Sequence, residues 1–185
     1  MFIRTERLFL RPAWPEDLDD LLAAFGGDAP FRNSGVAAFP RTRRALREYL
    51  KRPRQGALPQ LVIHVRDEHG AKLVGGVGLG RNGDDVELGY WIARGYQGKG
   101  YAAEAVRAVL AQARALGHRR IVAARLADAA RPDKVLEQLG FKATGETRSP
   151  VSAGRGGEAP VRLYAAVLAD KLFDMLGVGP QQAAA

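Results

Sequence analysis

The apolar residues of the first fifty positions change from a two-residue spacing to a helical one. Residues 5–12 alternate apolar and charged side chains and end at a proline, which predicts a strand near a sheet edge. Residues 15–25 begin with proline and two acids and continue with leucines at helical spacing, which predicts a short amphipathic helix. A second helix is predicted to start at a Thr42 cap and to end before Pro53.

Three strands are predicted in the middle of the chain. Residues 61–66 and 72–79 flank a turn that contains Gly70, whose freedom to adopt positive φ suits a tight antiparallel hairpin. Residues 86–92 follow a second turn-forming segment and predict the third strand of a meander.

The strongest helical pattern lies at residues 101–116, where the apolar positions form one stripe and Gly117 follows the last of them. The remaining predicted elements are a strand at 120–125, a helix at 132–139 and strands at 141–148 and 161–168. The predicted order is therefore strand, two helices, three strands, helix, strand, helix and two strands.

Length and composition indicate a single domain. The chain has 185 residues, of which 46% are hydrophobic, enough for one sizeable core and too few for two full domains. Residues 177–185 consist of small and polar residues and predict a flexible tail, so the expected domain is residues 1–176. A glycine-rich loop is expected at 152–157.

The charge balance points to an anionic partner. The chain has 28 Lys and Arg residues against 20 Asp and Glu residues, a formal net charge of +8. Nucleic acid, an acidic membrane face and a small polyanion such as a nucleotide cofactor are all compatible with this charge. The chain has no cysteine, which excludes disulfides, thiolate metal sites and cysteine nucleophiles. Without a membrane span or a signal-peptide pattern, the sequence predicts a soluble, cytoplasmic protein.

A glycine-rich segment lies between the third strand of the meander and the strongest helix. The start of a helix offers free backbone N–H groups and the positive end of the helix dipole, and glycine lets a phosphate approach them closely. The alternative is an ordinary tight turn, and neither a P-loop nor a Rossmann glycine pattern is present. The segment is Gln97, Gly98, Lys99, Gly100, Tyr101 and Ala102.

Three motifs together resemble the GNAT superfamily of N-acetyltransferases. They are Glu87-Leu-Gly-Tyr-Trp-Ile92, then Gln97-x-x-Gly100-x-Ala102, then Leu136-Glu-Gln-Leu-Gly-Phe141. The resemblance is nearest to the ribosomal-protein N-terminal acetyltransferase branch and runs from residue 5 to about residue 168. It implies an α/β (α+β) fold with a mixed, mostly antiparallel central sheet of six to seven strands, flanked by about four helices.

The resemblance implies a site for acetyl-CoA as co-substrate. The backbone N–H groups of residues 97–102 would bind the pyrophosphate. The strand end at Tyr90, Trp91, Ile92 and Ala93 would pair with the pantetheine arm like an added strand. A backbone N–H near Ile92 is the hypothesis for the donor to the developing oxyanion.

Two residues are expected to take part in catalysis. Glu87 alternates with apolar neighbours on the same strand and could accept the proton of the amine through water, although an ordinary polar strand residue fits the pattern equally well. Where the family often carries asparagine and serine before the penultimate helix, this chain has Ala129 and Pro132. The thiolate would then be protonated by Tyr164 or by solvent, or would leave unaided.

The acceptor is expected to be a primary amine, either the α-amine of a protein N-terminus or a small molecule. A non-catalytic acyl-CoA-binding module and an RNA-associated interaction module are the alternatives. Neither specific nucleic-acid binding nor a metal site is indicated, and the protein would be a monomer or homodimer. A basic run suggests an acidic or ribosome-associated acceptor, or else a solvated helix face: Arg41, Arg43, Arg44, Arg47, Lys51, Arg52 and Arg54. His64 could line the substrate cleft or have a structural role.

Overall fold

A computed structural model describes residues 1–25, 42–51, 58–68, 70–127, 133–149 and 160–169 of the chain. Its strands are β1 (Ile3–Arg4), β2 (Leu8–Arg11), β3 (Gln60–Asp67), β4 (Gly70–Asn82), β5 (Asp85–Ile92), β6 (Arg120–Leu126), β7 (Lys142–Arg148) and β8 (Val161–Val167). Its helices are α1 (Leu18–Phe25), α2 (Arg43–Lys51), α3 (Tyr101–Ala115) and α4 (Lys134–Gln138), with 3₁₀ turns at Pro15–Asp17 and Arg94–Tyr96. The glycine-rich loop at 152–157 and the tail at 177–185 lie outside the described residues.

The strands form one mixed sheet in the order β1-β2-β3-β4-β5-β6-β8-β7. Every neighbouring pair is antiparallel except β5 and β6, which run parallel. The mostly antiparallel sheet with four helices is confirmed, with eight strands in place of six to seven. The additional strand is β1, whose two residues are too few to show an alternating pattern.

Local capping explains where three of the elements begin or end. The hydroxyl of Thr42 accepts a hydrogen bond from the N–H of Ala45 at 3.2 Å, which confirms the predicted cap of α2. Gly70 has a φ of 115° in the β3–β4 turn, as its predicted role requires. Gly117 has a φ of 88° directly after the last turn of α3.

The predicted helix at 132–139 starts later than expected. α4 begins at Lys134, because the Asp133 carboxylate accepts hydrogen bonds from the N–H groups of Val135 and Leu136 and so caps the helix. The proline taken for its first turn, Pro132, lies outside the described residues.

The sheet carries a hydrophobic layer on each face. On one face α3 and α4 pack against the main core, which includes Val86, Leu88 and Ile92 of β5. On the other face α1 and α2 pack against a smaller cluster that includes Val62, Trp91 and Ala93. Successive residues of β5 therefore point alternately to the two layers.

Candidate active site

The parallel pair β5 and β6 separates towards its carboxyl end. Glu87 pairs with Val122 and Leu88 pairs with Ala123, and these are the pairs that join the two strands. β5 continues to Ile92 and β6 continues beside β8, so the last residues of the two strands diverge. The diverging ends, residues 89–92 and 124–126, are called the opening below.

Backbone amides of β5 point into the opening. The N–H of Ala93 donates to the carbonyl of Val74 in β4 at 2.8 Å. Because N–H groups alternate in direction along a strand, those of Tyr90 and Ile92 point to the opposite side, towards β6. The side-chain amide of Gln97 donates to the carbonyl of Ile92 at 2.9 Å. The edge of β5 thus offers donors to an extended ligand lying in the opening.

The glycine-rich segment turns the chain from β5 into α3. Gly98 and Gly100 have φ values of 76° and 81°, a region that side chains other than glycine rarely adopt. Gly100 is the N-cap of α3 and has no side chain to bind the first amides of the helix. Those amides and the helix dipole suit a phosphate. The residues present therefore fit the pyrophosphate of acetyl-CoA.

Hydrogen bonds from Thr5 and Arg7, called the brace below, hold this segment in place and were not predicted from the sequence. Arg7 donates from Nε to Glu104 Oε2 at 2.7 Å and from Nη1 to the carbonyl of Lys99 at 3.0 Å. Thr5 donates to Glu104 Oε1 at 2.6 Å. Burial raises the pKa of Glu104, but the hydrogen bonds from Thr5 and Arg7 outweigh it and hold the pKa below its usual range. The start of α3 is thus fixed to the β1–β2 turn.

The side chains of the segment lie mostly at the surface. Lys99 places its ammonium 5.3 Å from the ring centre of Tyr96, and the Arg7 guanidinium lies 5.0 Å from that of Tyr101. Ala102 is half-buried in the first turn of α3. The segment therefore presents the Lys99 ammonium near Tyr96, and the guanidinium of Arg7, which is paired with Glu104, lies near Tyr101.

Trp91 and Ala93 point away from α3 and are buried in the layer of α1 and α2. Gly76 lies under Trp91, where a Cβ atom would come within 2.4 Å of the indole Nε1. Tyr90 and Ile92 point to the layer of α3 and α4. Of the four predicted pantetheine contacts, only Tyr90 and Ile92 therefore direct their N–H groups into the opening and their side chains to the α3 side.

Glu87 lies on the α1 and α2 face, opposite to Val86 and Leu88, as the alternation predicted. Its side chain is fully buried, and Asn82 Nδ2 donates to its Oε2 at 2.7 Å. Further along the same face, Gly78 and Gly89 are paired across β4 and β5, so neither brings a side chain between Glu87 and Trp91.

Tyr164 lies on the other face of the sheet. It pairs with Ala123 of β6 and packs, half-buried, against the main core beneath α3 and α4. The structure therefore does not bring Tyr164 together with Glu87. Ala123 of β6 lies between Tyr164 and β5, and its side chain is a single methyl group. The role of Tyr164 near the leaving group therefore stays a prediction.

Several predicted features lie partly outside the described residues. Ala129, at the position where the family often carries asparagine, lies outside the described residues. Of the basic run, the described members are exposed on α2, and Arg43 binds Asp19 at 2.5 Å. In the part of the chain that the structure describes, no helix is long and apolar enough to cross a membrane, and no cluster of acids and histidines suits a metal ion.

Known proteins share this architecture. A family model described as acetyltransferase (GNAT) domain matches residues 7–142. Among solved structures, a Salmonella typhimurium acetyl transferase that modifies the N-terminal serine of ribosomal protein L7/L12 has 17% identity and a TM-score of 0.72, with 90% of this chain and 99% of that chain covered. No curated protein matches the sequence significantly.

Two further structures are similar to the same extent. Ribosomal-protein-S5-alanine acetyltransferase from Vibrio fischeri has 21% identity and a TM-score of 0.68, over 92% of this chain and 98% of that chain. A GNAT-family acetyltransferase from Bacillus anthracis has 22% identity and a TM-score of 0.71, over 91% of this chain and 99% of that chain. At these identities the likeness concerns the fold.

Proposed function

Since the chain belongs to the GNAT acetyltransferase domain family, we propose that it transfers the acetyl group of acetyl-CoA directly to a primary amine. The observation that carries this proposal is the continuity of the opening with the start of α3. β5 ends at Ile92, and a turn of eight residues leads to the first residue of α3 at Tyr101. One extended ligand with a diphosphate at one end fits both features.

In this proposal the amides at the start of α3 bind the pyrophosphate, and residues 97–102 line it. The N–H group of Tyr90 pairs with the pantetheine arm, as strand addition requires. Acetyl-CoA supplies an activated thioester. The N–H of Ile92 is the donor proposed for the oxyanion that develops on the acetyl carbonyl.

Glu87 is the proposed general base. Its carboxylate is held by Asn82 and lies on the face of β5 that is shared with α1 and α2. Because this carboxylate is fully buried, the proton would reach it through a water molecule. Glu87 would take the proton that the amine nitrogen loses as the amide forms.

The acceptor that we favour is the α-amine of a protein N-terminus. An α-amine with a pKa of about 8 is roughly one-fifth neutral near pH 7.4, whereas a lysine side chain is only about 0.1% neutral. Nucleophilic attack needs the neutral amine, so an α-amine requires less deprotonation by the general base than a lysine side chain does. Two of the similar structures act on ribosomal proteins by their printed names, and exposed arginines on α2 would favour an acidic or ribosomal acceptor in the cytoplasm.

The experiment is a thiol-release assay with acetyl-CoA against peptides of varied N-terminal residue, polyamines and aminoglycosides. We expect release of CoA with at least one α-amine peptide. In the Glu87→Gln variant, which keeps an oxygen acceptor for Asn82, we expect kcat to fall about a hundredfold, with acetyl-CoA affinity unchanged. Glu146→Gln, at an exposed position of β7, is the matched control.

Saturable acetyl-CoA binding without thiol release from any amine would favour a non-catalytic acyl-CoA-binding module. RNA binding with a steep salt dependence and no affinity for acetyl-CoA would favour an RNA-associated module. A Glu87→Gln variant with the wild-type rate across the pH range would remove Glu87 from the mechanism and leave the proposed reaction intact.

A further inference from the structure

Three polar side chains converge from different elements where β5 and β6 diverge. Tyr90 comes from β5, Arg125 comes from β6, and Asp133 caps α4. Arg125 is only 7% exposed, and its Nε lies 3.7 Å from Asp133 Oδ2. Tyr90 packs against the main core. Ala124 packs on the opposite face of β6, so its neighbour Arg125 points to the same face as the main core. All three therefore lie on the α3 and α4 side of the opening.

Two donors of this cluster have no hydrogen-bond acceptor in position. The hydroxyl of Tyr90 and the Nε of Arg125 are buried without a hydrogen-bond partner among the described residues. Asp133 lies near the Tyr90 hydroxyl but out of position for a regular hydrogen bond, and its Oδ1 accepts from Val135 and Leu136. A buried hydroxyl without a partner is unfavourable, so a ligand that brings an acceptor into the opening gains a contact already in place.

Of the acceptors that bound acetyl-CoA would bring into the opening, the sulfur of the thioester is the one that becomes negatively charged when the C–S bond breaks. α4 has no hydroxyl residue that could bind it, since its sequence is Lys-Val-Leu-Glu-Gln. We propose that the hydroxyl of Tyr90 donates a hydrogen bond to the thiolate sulfur of CoA as it leaves the acetyl group. This inference rests on the proposed function and gives Tyr90 a role beyond backbone pairing with pantetheine.

The bonds and protons balance without transfer from Tyr90. The lone pair of the amine forms the C–N bond, and the C–S bond breaks with its electron pair on sulfur. The proton lost by nitrogen goes to Glu87 through water, and the thiolate takes its proton from solvent after release. Burial, and next the charge of Asp133, raise the pKa of Tyr90. Since a thiol pKa is about 8 to 9, full proton transfer from this tyrosine would be uphill, and Tyr90 keeps its proton.

The thiol of bound CoA provides a readout that does not depend on turnover. The thiolate absorbs in the ultraviolet, so its pKa can be titrated in the complex of CoA with each variant. We expect the bound thiol pKa to rise by about one unit or more in Tyr90→Phe, because a hydrogen bond to the charged form is lost. Asp133→Asn keeps a helix cap and removes a negative charge, so we expect it to lower the bound thiol pKa.

Steady-state kinetics test the same contact in catalysis. We expect Tyr90→Phe to lower kcat by about ten- to a hundredfold with little change in KM for acetyl-CoA, because the contact strengthens only as charge develops on sulfur. Tyr164→Phe is measured beside it, since Tyr164 is the competing hydroxyl for the same role.

The possible outcomes separate this inference from the proposed function. A Tyr90→Phe variant with an unchanged bound thiol pKa and unchanged kcat overturns the inference, and so does the full effect appearing in Tyr164→Phe instead. If the bound thiol pKa rises in Tyr90→Phe but the wild-type protein transfers no acetyl group, the Tyr90 contact is supported and the proposed reaction is contradicted. A wild-type protein that does not bind CoA overturns both.

Discussion

Arg11 binds two buried side chains on the α1 and α2 face of the sheet. Its Nη1 and Nη2 each donate to the Asp17 carboxylate at 2.7 Å, and Nη2 lies 3.3 Å from His64 Nε2. A guanidinium has no acceptor, so Nε2 must be the acceptor and His64 must be neutral with its hydrogen on Nδ1. Burial, and next the charge of Arg11, lower the pKa of His64. His64 therefore has a structural place beside Arg11 and not in the opening.

This burial predicts a loss of stability in mild acid. The pKa of His64 is lowered in the folded state. Below about pH 6.5 the histidine is therefore protonated in the unfolded chain while it is still neutral in the folded chain, which favours unfolding. The unfolding free energy should fall by no more than about 1.4 kcal/mol per pH unit from this group. Urea unfolding between pH 7.5 and 5.0 measures it, and His64→Gln should flatten the slope.

Two comparisons make this test specific. His118→Gln, which removes a half-buried histidine at the end of α3, controls for the loss of a histidine. Asp17 also has a lowered pKa, because hydrogen bonds from Arg11 and Trp14 outweigh its burial, but its contribution is lost only as the pH falls below about 3.8. An equal slope in wild type and His64→Gln would show that His64 is not held neutral.

For single residues, the sequence predicted which face of the sheet a side chain occupies better than it predicted which residues that side chain contacts. Alternation placed Glu87 opposite to its apolar neighbours, and the structure agrees. The same alternation could not show that Trp91 packs over Gly76, nor that Arg125 meets Asp133, because these contacts depend on which distant strands become neighbours. Arg7 was missed for the same reason, since its partner Glu104 is 97 positions away.

The start of α3 is the element on which acetyl-CoA binding depends in this account. Gly100 combines a φ of 81° with a crowded position, because a Cβ atom there would lie 3.2 Å from Arg7 Nη2. Gly83, in the turn between β4 and β5, has a φ of 62° and open space around it. Both glycines thus need a positive φ, but only Gly100 has another side chain, that of Arg7, next to the place of a Cβ atom.

Gly100→Ala and Gly83→Ala should therefore separate stability from binding. Each should lower the unfolding free energy by about 1–2 kcal/mol, the cost of a left-handed conformation with a side chain. Only Gly100→Ala should also weaken acetyl-CoA binding, by about tenfold or more, since it alone displaces the brace beside the first amides of α3. Calorimetric titration measures both affinities, and equal affinities in the two variants would contradict the phosphate role of this helix start.

Element boundaries followed the sequence where the pattern was long or a cap was specific. The stripe at 101–116 gave α3 within one residue, and Thr42 gave the start of α2. The start of α4 was placed two residues early, because Asp133 competes with proline as the starting signal and its carboxylate takes the two free amides. β1 escaped prediction because two residues carry no periodicity.

Across the whole molecule, the site depends on a topology that local patterns do not specify. The element order and the mostly antiparallel sheet followed from the motifs and their resemblance. The divergence of β5 and β6 did not, since parallel pairing joins positions that lie 35 residues apart, such as Glu87 and Val122, and leaves no periodic trace in either strand. Asp85 binds Arg120 at 2.5 Å and also binds Arg148, so the amino ends of the two strands are tied while their carboxyl ends separate.

The binding of acetyl-CoA between these diverging ends is the claim on which the other proposals rest. Amide hydrogen exchange of the wild-type protein, measured residue by residue with and without CoA, tests it most directly. At a CoA concentration one hundred times Kd, we predict that the amides of Tyr90, Ile92 and residues 101–103 exchange up to about a hundredfold more slowly. The edge strand β7 should show a smaller change. Saturating CoA that leaves the amides of β5 and α3 unprotected would contradict this location of the site.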